Sequence, residues 1–333
     1  MSQSTIARVK GLGFALPGER VPLTRLNLSS EESARLKGLK QEFFHWSPGS
    51  STDLMTEAGA MALANANTQK NEIGMVITAP SLITSYGLEI PAIEIRNRLG
   101  LHRAECLNLG QGCVGLFRAM QLANDRLVLH PEQGEVLVLA GCVASRLTRN
   151  HTHGSFFWGD GGAAIVMSAT KGLGLQFRGY AECSAERDTG AMRIGFGDAK
   201  PIDQCNLEQD FQIQVSFASD LDQLRYIEGE QNRFLAVIHD LMRQGGITMD
   251  ELTAVVMPSL GHNRLRTLLL NHNPLREKII TDSRYAHMGA VDALLFLQQN
   301  LEHKGVCTSP EWYITLTPAF TAQWGGVLLK REP

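Results

Sequence analysis

The chain has 333 residues, of which 44% are hydrophobic, and carries a formal net charge of −3. This length fits one large or two medium domains, and the charge gives no electrostatic reason to expect nucleic acid as a partner. No run approaches the roughly 18 consecutive apolar residues of a membrane helix, and no secretory signal is visible at the N-terminus. We therefore expect a cytoplasmic protein without a membrane or nucleic-acid partner.

The cysteines are scattered along the chain without any Cys-x-x-Cys pair. They are Cys106, Cys113, Cys142, Cys183, Cys205 and Cys307. This spacing argues against a structural zinc site, and a reducing cytoplasm disfavours disulfides. We predict no bound metal.

In the first half of the chain, short apolar segments alternate with segments of helical periodicity. The predicted strands are 6–14, 73–79, 135–141 and 163–167, and the predicted helices include 52–66 and 93–99. Ser29 to Glu32 predicts a capping box at the start of a further short helix. All-apolar strands alternating with helices predict an α/β fold whose largely parallel sheet is covered on both faces.

The second half repeats this pattern. Segment 250–258 resembles segment 71–80, each with an acidic residue before an apolar strand that a proline ends. The Cys113-Val114-Gly115 turn is matched by His287-Met288-Gly289, and each turn precedes a helix and another strand. Such self-similarity indicates a duplicated unit. We predict an N-terminal half, 1–170, that carries a nucleophile and a C-terminal half, 171–333, that carries its base, with the two turns meeting at one cleft.

Cys113 is the candidate nucleophile. It follows Gly110 and Gly112 at a predicted turn from strand to helix, with helical periodicity from Val114 onward. A thiol at the N-terminal end of a helix faces free backbone N–H groups and the positive end of the helix dipole, and both favour the thiolate. The alternative is a small apolar cysteine packed in a turn.

A cysteine nucleophile needs a base beside it, and the base needs a group that orients it. His287 has Asp282 five residues upstream, and we expect the loop to fold this carboxylate back onto the imidazole. His262, shortly after the strand that Pro258 ends, is the rival base.

Four segments together resemble a known family. They are 11–18 (Gly-Leu-Gly-Phe-Ala-Leu-Pro-Gly), 112–115 (Gly-Cys-Val-Gly), 157–164 (Phe-Trp-Gly-Asp-Gly-Gly-Ala-Ala) and 324–326 (Trp-Gly-Gly). In this order and spacing the chain resembles the thiolase-fold condensing enzymes, specifically the beta-ketoacyl-acyl-carrier-protein synthase III family. The resemblance implies a duplicated five-layer alpha-beta-alpha-beta-alpha thiolase-like fold, a homodimer and an acyl thioester on Cys113. It implies no bound cofactor, the acyl donor being a thioester of acyl-carrier-protein phosphopantetheine or of coenzyme A.

The same resemblance assigns roles to further positions. It implies that the backbone N–H groups of Cys113 and Ala319 form an oxyanion hole. It also implies that Ile90 reaches into the acyl tunnel of the partner subunit. Glu32 and Leu36 stand where the family has its aromatic and arginine contacts to coenzyme A. Their presence favours a donor carried by a protein, with coenzyme A as the alternative carrier.

Two departures from the family pattern bear on the reaction. Segment 259–263, beginning at Ser259, replaces the usual His-Gln-Ala-Asn motif, and His287 replaces the usual asparagine. With Asp282, this pattern resembles the synthase-III-like acyltransferases of secondary metabolism, which have a Cys-His-Asp triad. We therefore expect transfer of the acyl group from Cys113 to a small alcohol or amine acceptor, since this reaction needs a general base but no enolate stabilisation.

Two alternatives stay open. One is a decarboxylative carbon–carbon condensing enzyme that uses His262 and His287, with a Ser259 hydroxyl as a further donor. The other is an inactive partner subunit of a heterodimeric condensing enzyme. The presence of both Cys113 and a histidine with a nearby carboxylate argues against the inactive subunit.

Overall fold

The computed structural model describes most of the chain. The described residues are 6–82, 84, 89–148, 152–153, 156–169, 174–185, 192–194, 204, 206, 213–215, 217, 219–261, 273–319 and 322–333. Within these ranges, none of the helices combines the length and apolar character that a membrane crossing requires.

The helices lie close to the predicted positions. They are α1 (Ser30–Leu36), α2 (Ser51–Asn65), α3 (Pro91–Leu99), α4 (Gly115–Leu129), α5 (Asp220–Gly245), α6 (Asn273–Arg276) and α7 (Val291–Lys304). The predicted capping box is present at α1, where the Ser29 hydroxyl accepts from the Glu32 N–H and the Glu32 carboxylate accepts from the Ser29 N–H. Helix α5 begins at Asp220, where the Ser219 side chain caps it.

The strands match the apolar segments. Those of the main sheet are β1 (Arg8–Ala15), β4 (Ile73–Thr78), β5 (Glu105–Asn108), β6 (Glu135–Val143), β9 (Asp160–Ser168), β10 (Leu175–Ser184), β13 (Leu252–Val256), β14 (Ile279–Ile280), β15 (Glu311–Ala319) and β16 (Gln323–Arg331). The described residues also form three two-stranded antiparallel sheets: β2 (Arg20–Pro22) with β3 (Phe43–His45), β7 (Thr152–His153) with β8 (Phe156–Phe157), and β11 (Met192–Ile194) with β12 (Ile213–Val215).

The main sheet contains the same five-strand arrangement twice. In the first half the order is β5-β4-β6-β9-β1, and in the second it is β14-β13-β15-β16-β10. In both, the first three strands are parallel and the last two are antiparallel to their neighbours. The halves join through β1 and β10. The predicted boundary at 170/171 adjoins residues outside the described ranges and stays a prediction.

The prediction of a largely parallel sheet is wrong, because each half is mixed. The continuous apolar character of β6 and β9 comes from their burial on both faces and not from parallel pairing. Helix α2 packs on β1, β6 and β9 from one side, and α5 packs on β10 and β16 from the other. Helices α4 and α7 contact strands of both halves and lie between them. This arrangement is the predicted alpha-beta-alpha-beta-alpha layering.

Close backbone packing positions the first half against α2. A Cβ atom at Gly13 in β1 would lie 2.2 Å from the Ala58 carbonyl oxygen in α2. Only glycine permits this approach of strand to helix, which explains one glycine of the 11–18 segment.

Candidate active site

Cys113 lies at the turn that the sequence predicts. Strand β5 ends at Asn108, a short 3₁₀ turn spans Gly112–Val114, and α4 begins at Gly115. Gly112 has a φ of +57°, a conformation that favours glycine. The Cys113 side chain is fully buried and forms a small cluster with Val114 and Ala319, the last residue of β15. The two backbone positions assigned to the oxyanion hole are therefore neighbours, although the role itself stays a prediction.

His287 faces this thiol. Its Nε2 atom lies 3.9 Å from the Cys113 Sγ atom, within reach of a hydrogen bond to sulfur, and its side chain is 1% exposed. The two halves of the chain thus bring their equivalent turns together at one site. This confirms the juxtaposition that the internal repeat predicts.

The segment before β9 holds His287 by its backbone. The His287 N–H donates to the Phe157 carbonyl at 2.8 Å, and the Gly159 N–H donates to the His287 carbonyl at 2.9 Å. The Trp158 and imidazole ring centroids are 5.0 Å apart. A conspicuous sequence motif therefore serves to position the histidine.

Asp160 is the next residue of this motif, and its carboxylate binds two backbone N–H groups. It is fully buried, and its carboxylate accepts from the Ser47 N–H at 2.9 Å and the Ser145 N–H at 3.0 Å. Burial raises the pKa of Asp160, against the opposing effect of the hydrogen bonds it accepts from Ser145, Ser47 and Ala144. Asp160 thus links the loops that contain Ser47 and Ser145 to the 157–159 segment.

Asp292, not Asp282, is the carboxylate beside His287. The Asp292 Oδ2 atom lies 3.0 Å from the His287 Nδ1 atom, and both side chains are almost fully buried. Asp292 stands in the first turn of α7, five residues after the histidine. Gly289, with a φ of +71°, makes the tight turn between them, and a Cβ atom there would lie 2.1 Å from the Ser81 Oγ atom.

The assignment of Asp282 as the orienting group is therefore wrong. Its carboxylate binds the Arg284 guanidinium through both oxygens and accepts from the Arg284 N–H at 3.0 Å. Partial burial raises the pKa of Asp282, but the bonds from Arg284 outweigh it and hold this pKa below its usual value. The Asp282 carboxylate thus pairs with a largely exposed guanidinium, while the carboxylate that contacts the imidazole is that of Asp292.

The sequence nevertheless contains the signal for Asp292. It is the single charged residue in the strongly apolar run 286–297, and the structure buries it completely. A carboxylate in such a run needs a specific partner, because an unpaired buried charge is costly.

Ser259 supports Asp292. Its N–H donates to the Asp292 Oδ2 atom at 2.8 Å, the same oxygen that faces His287. Its hydroxyl donates to the Tyr285 carbonyl at 2.5 Å. Ser259 is fully buried, so its proposed use as a donor to a thioester oxygen would require that bond to break.

Burial determines the ionisation of Cys113. It raises the pKa of the thiol to about 12, with the charge of Asp292 as a further cause and the Ser81 hydroxyl as an opposing one. A backbone hydrogen bond at Cys113 lowers this pKa, as expected for a thiol at a helix N-terminus, but burial outweighs it. With this pKa, Cys113 would need a base that removes its proton in order to react as a nucleophile at neutral pH.

The remaining predicted site residues divide into two groups. His262 and Leu36 lie among positions whose side chains are outside the described part of the structure. Ile90 precedes α3 and is 51% exposed on the surface of the chain, beside Ile93. Its role in a partner's tunnel stays a prediction. Across the described ranges, no group of three His, Cys, Asp or Glu side chains could hold a metal ion.

The duplicated five-layer fold, with a buried cysteine at the N-terminus of the central helix, is that of the thiolase-fold enzymes. Two solved structures with this fold cover 98% or more of the chain. One is the acyltransferase ChlB3 (TM-score 0.82, 18% identity, 98% of each chain covered). The other is the priming beta-ketosynthase of the R1128 polyketide pathway (TM-score 0.80, 16% identity, 100% of this chain and 98% of that one).

Curated relatives agree with this fold. A 3-oxopimeloyl-[acyl-carrier-protein] synthase of Rhodothermus marinus is 32% identical over 53% of this chain and 51% of the relative. The beta-ketoacyl-[acyl-carrier-protein] synthase III of Fusobacterium nucleatum is 26% identical over 58% of this chain and 59% of the relative. The chain thus matches somewhat over half the length of these two relatives. No protein-family model matches it. These similarities support a thiolase-fold protein that is similar to the beta-ketoacyl-[acyl-carrier-protein] synthases III.

Proposed function

We propose that the chain is an acyltransferase that takes an acyl group from a thioester onto Cys113 and passes it to an alcohol or amine. The observation that carries this proposal is the buried line Cys113–His287–Asp292, with separations of 3.9 Å and 3.0 Å. A carboxylate on Nδ1 favours the tautomer with its proton there, which leaves the Nε2 lone pair facing the thiol.

The first half-reaction loads the enzyme. His287 Nε2 accepts the Cys113 thiol proton as the sulfur attacks the thioester carbonyl. The tetrahedral intermediate then collapses, the bond to the donor sulfur breaks, and His287 returns the proton to the leaving thiol. The backbone N–H groups of Cys113 and Ala319 would stabilise the oxyanion. The donor is a thioester of an acyl carrier protein, the carrier in the names of the curated relatives, or of coenzyme A.

The second half-reaction uses the same base. His287 accepts the proton of an acceptor hydroxyl or amine as the acceptor attacks the acyl carbon. Cys113 leaves and takes that proton, so the enzyme returns to its initial state and an ester or amide is released. Asp292 stabilises the imidazolium that forms in both halves.

Decarboxylative condensation is the second candidate, because the curated relatives are named as synthases. That reaction needs two donors aimed at a thioester oxygen as enolate charge develops. In the tautomer with its proton on Nδ1, His287 presents an acceptor rather than a donor at Nε2, and the Ser259 hydroxyl already donates to Tyr285. These contacts favour transfer.

Offering malonyl thioesters separates the two reactions. We expect carbon dioxide release to stay near background, and an acylated enzyme to discharge onto an alcohol or amine with formation of an ester or amide. The measurement pairs trapped radioactive carbon dioxide with product mass, and Cys113→Ala sets the background. Rapid Cys113-dependent carbon dioxide release with a beta-keto product would reverse the order of the two candidates.

Exchanging carboxylates for amides tests which aspartate orients His287. Asp292→Asn should lower the transfer rate by roughly 10²-fold, because the imidazole loses the carboxylate that fixes its tautomer and stabilises its charged form. Asp282→Asn is the matched control at the same spacing upstream, and its transfer rate should stay within about 2-fold, since surface ion pairs contribute little. A large loss in Asp282→Asn with a silent Asp292→Asn would contradict the assignment made from the distances.

A further inference from the structure

Gln41 does not contact the Cys113 thiol, but its side chain hydrogen-bonds to three segments that contact His287 or its partner Asp292. The Gln41 Oε1 atom accepts from the Phe157 N–H at 2.8 Å. Its Nε2 atom donates to the Tyr285 carbonyl at 3.0 Å, and lies 3.3 Å from the Ser259 Oγ and 3.4 Å from the Ser259 carbonyl oxygen. Both ends of the carboxamide are therefore engaged.

Each of these segments helps to hold the imidazole of His287 in place. Phe157 supplies the carbonyl that accepts the His287 N–H. Ser259 supplies the N–H that holds the Asp292 oxygen facing Nδ1. Tyr285 precedes the histidine by two residues, and its carbonyl oxygen also accepts a hydrogen bond from the Ser259 hydroxyl.

The backbone on both sides of Gln41 holds its side chain next to the segment that precedes His287. Lys40 adopts a φ of +57°, an uncommon conformation for a residue other than glycine. The next residues pair with the chain before His287: the Glu42 N–H donates to the Arg284 carbonyl at 2.8 Å, and the Ala286 N–H donates to the Phe43 carbonyl at 2.9 Å. Gln41 thus lies at the junction of the N-terminal segment and the histidine loop.

We infer that Gln41 is a positioning residue that keeps His287 Nε2 directed at the Cys113 thiol by fixing the Phe157, Ser259 and Tyr285 backbone together. This inference rests on the proposed function of the same Cys113–His287 pair. Gln41 touches none of the reacting atoms, so its effect passes through the orientation of the imidazole and of Asp292.

The test measures the alkylation rate of Cys113 by iodoacetamide at pH 7.5, which reports proton removal by His287 and requires no knowledge of the natural acceptor. Gln41→Met keeps the side-chain length and removes both hydrogen-bonding functions. Gln41→Glu keeps an acceptor for the Phe157 N–H and removes the donors to Tyr285. We expect each variant to lower the rate on the order of 10-fold, because small misplacements of a catalytic group are costly. Where a transferable acyl group is found, kcat should fall with KM little changed.

Gln244→Met is the matched control, because the Gln244 amide also donates to a backbone carbonyl, that of Tyr180, at 2.8 Å on helix α5. Its alkylation rate should equal that of the wild type. The melting temperature, measured on each variant, separates orientation from folding. If Gln41→Met lowers the melting temperature while the alkylation rate of the folded protein is unchanged, Gln41 is merely structural and the inference is overturned. If His287→Ala itself leaves the alkylation rate unchanged, the proposed function is contradicted, whatever the result for the Gln41 variants.

Discussion

Incubation with an acyl thioester is expected to add one acyl group to the wild-type protein and none to Cys113→Ala. Among the described residues, the Cys113 thiol is the candidate nucleophile that lies against a histidine, and without it we expect no covalent intermediate. Transfer should fall by at least about 10³-fold, since a missing nucleophile cannot be replaced by its neighbours. Intact-mass spectrometry with a panel of carrier-protein and coenzyme A thioesters makes the measurement.

Cys307→Ala is a matched control for this experiment. Cys307 is also buried, but it lies between α7 and β15, where its thiol contacts the Ser309 carbonyl. This variant should be acylated like the wild type. An adduct on another cysteine would overturn the site assignment, and no adduct from any donor would favour the inactive-subunit alternative.

Removing the imidazole should be nearly as damaging. His287→Ala is expected to lower acyl transfer by a factor on the order of 10² or more, the usual contribution of a general base. The physical reason is the neutral state of the thiol: with its pKa raised to about 12, Cys113 supplies almost no thiolate at neutral pH unless His287 accepts the proton. Single-turnover acylation and discharge, measured separately, should both slow.

The sign of the pH dependence follows from the same pKa. In His287→Ala, the residual acylation should rise with pH through and beyond pH 9, because only ionisation of the buried thiol then supplies the nucleophile. The exposed His239 on α5 provides the control, and His239→Ala should match the wild type. A nearly silent His287→Ala would favour His262 as the base.

The sequence predicts the fold well because periodicity and repetition are local signals. Apolar runs locate β4, β6 and β9, and the repeated turns at Cys113 and His287 indicate that two distant segments meet. Strand direction is less visible, because apolar residues on both faces accompany parallel and antiparallel strands alike. The mixed sheet was therefore missed.

The site was predicted in part for a related reason. Asp282 and Asp292 are equally spaced from His287, and spacing alone does not show which way the loop turns. The positive φ of Gly289 and the pairing of Asp282 with Arg284 decide it. Gln41 was missed because its partners are backbone groups brought together by tertiary contacts between segments far apart in the chain.

The raised pKa of Cys113 also bears on the durability of the protein. Peroxides and electrophiles attack thiolates rather than thiols, and access to the sulfur further controls their rate. Cys113 is uncharged and fully buried between reactions, and the neighbouring Cys142 has a pKa raised well above its usual value, chiefly by burial. Under the proposed mechanism, the nucleophile is thus stored in a form resistant to oxidative damage and acquires its reactivity only while the proton is on His287.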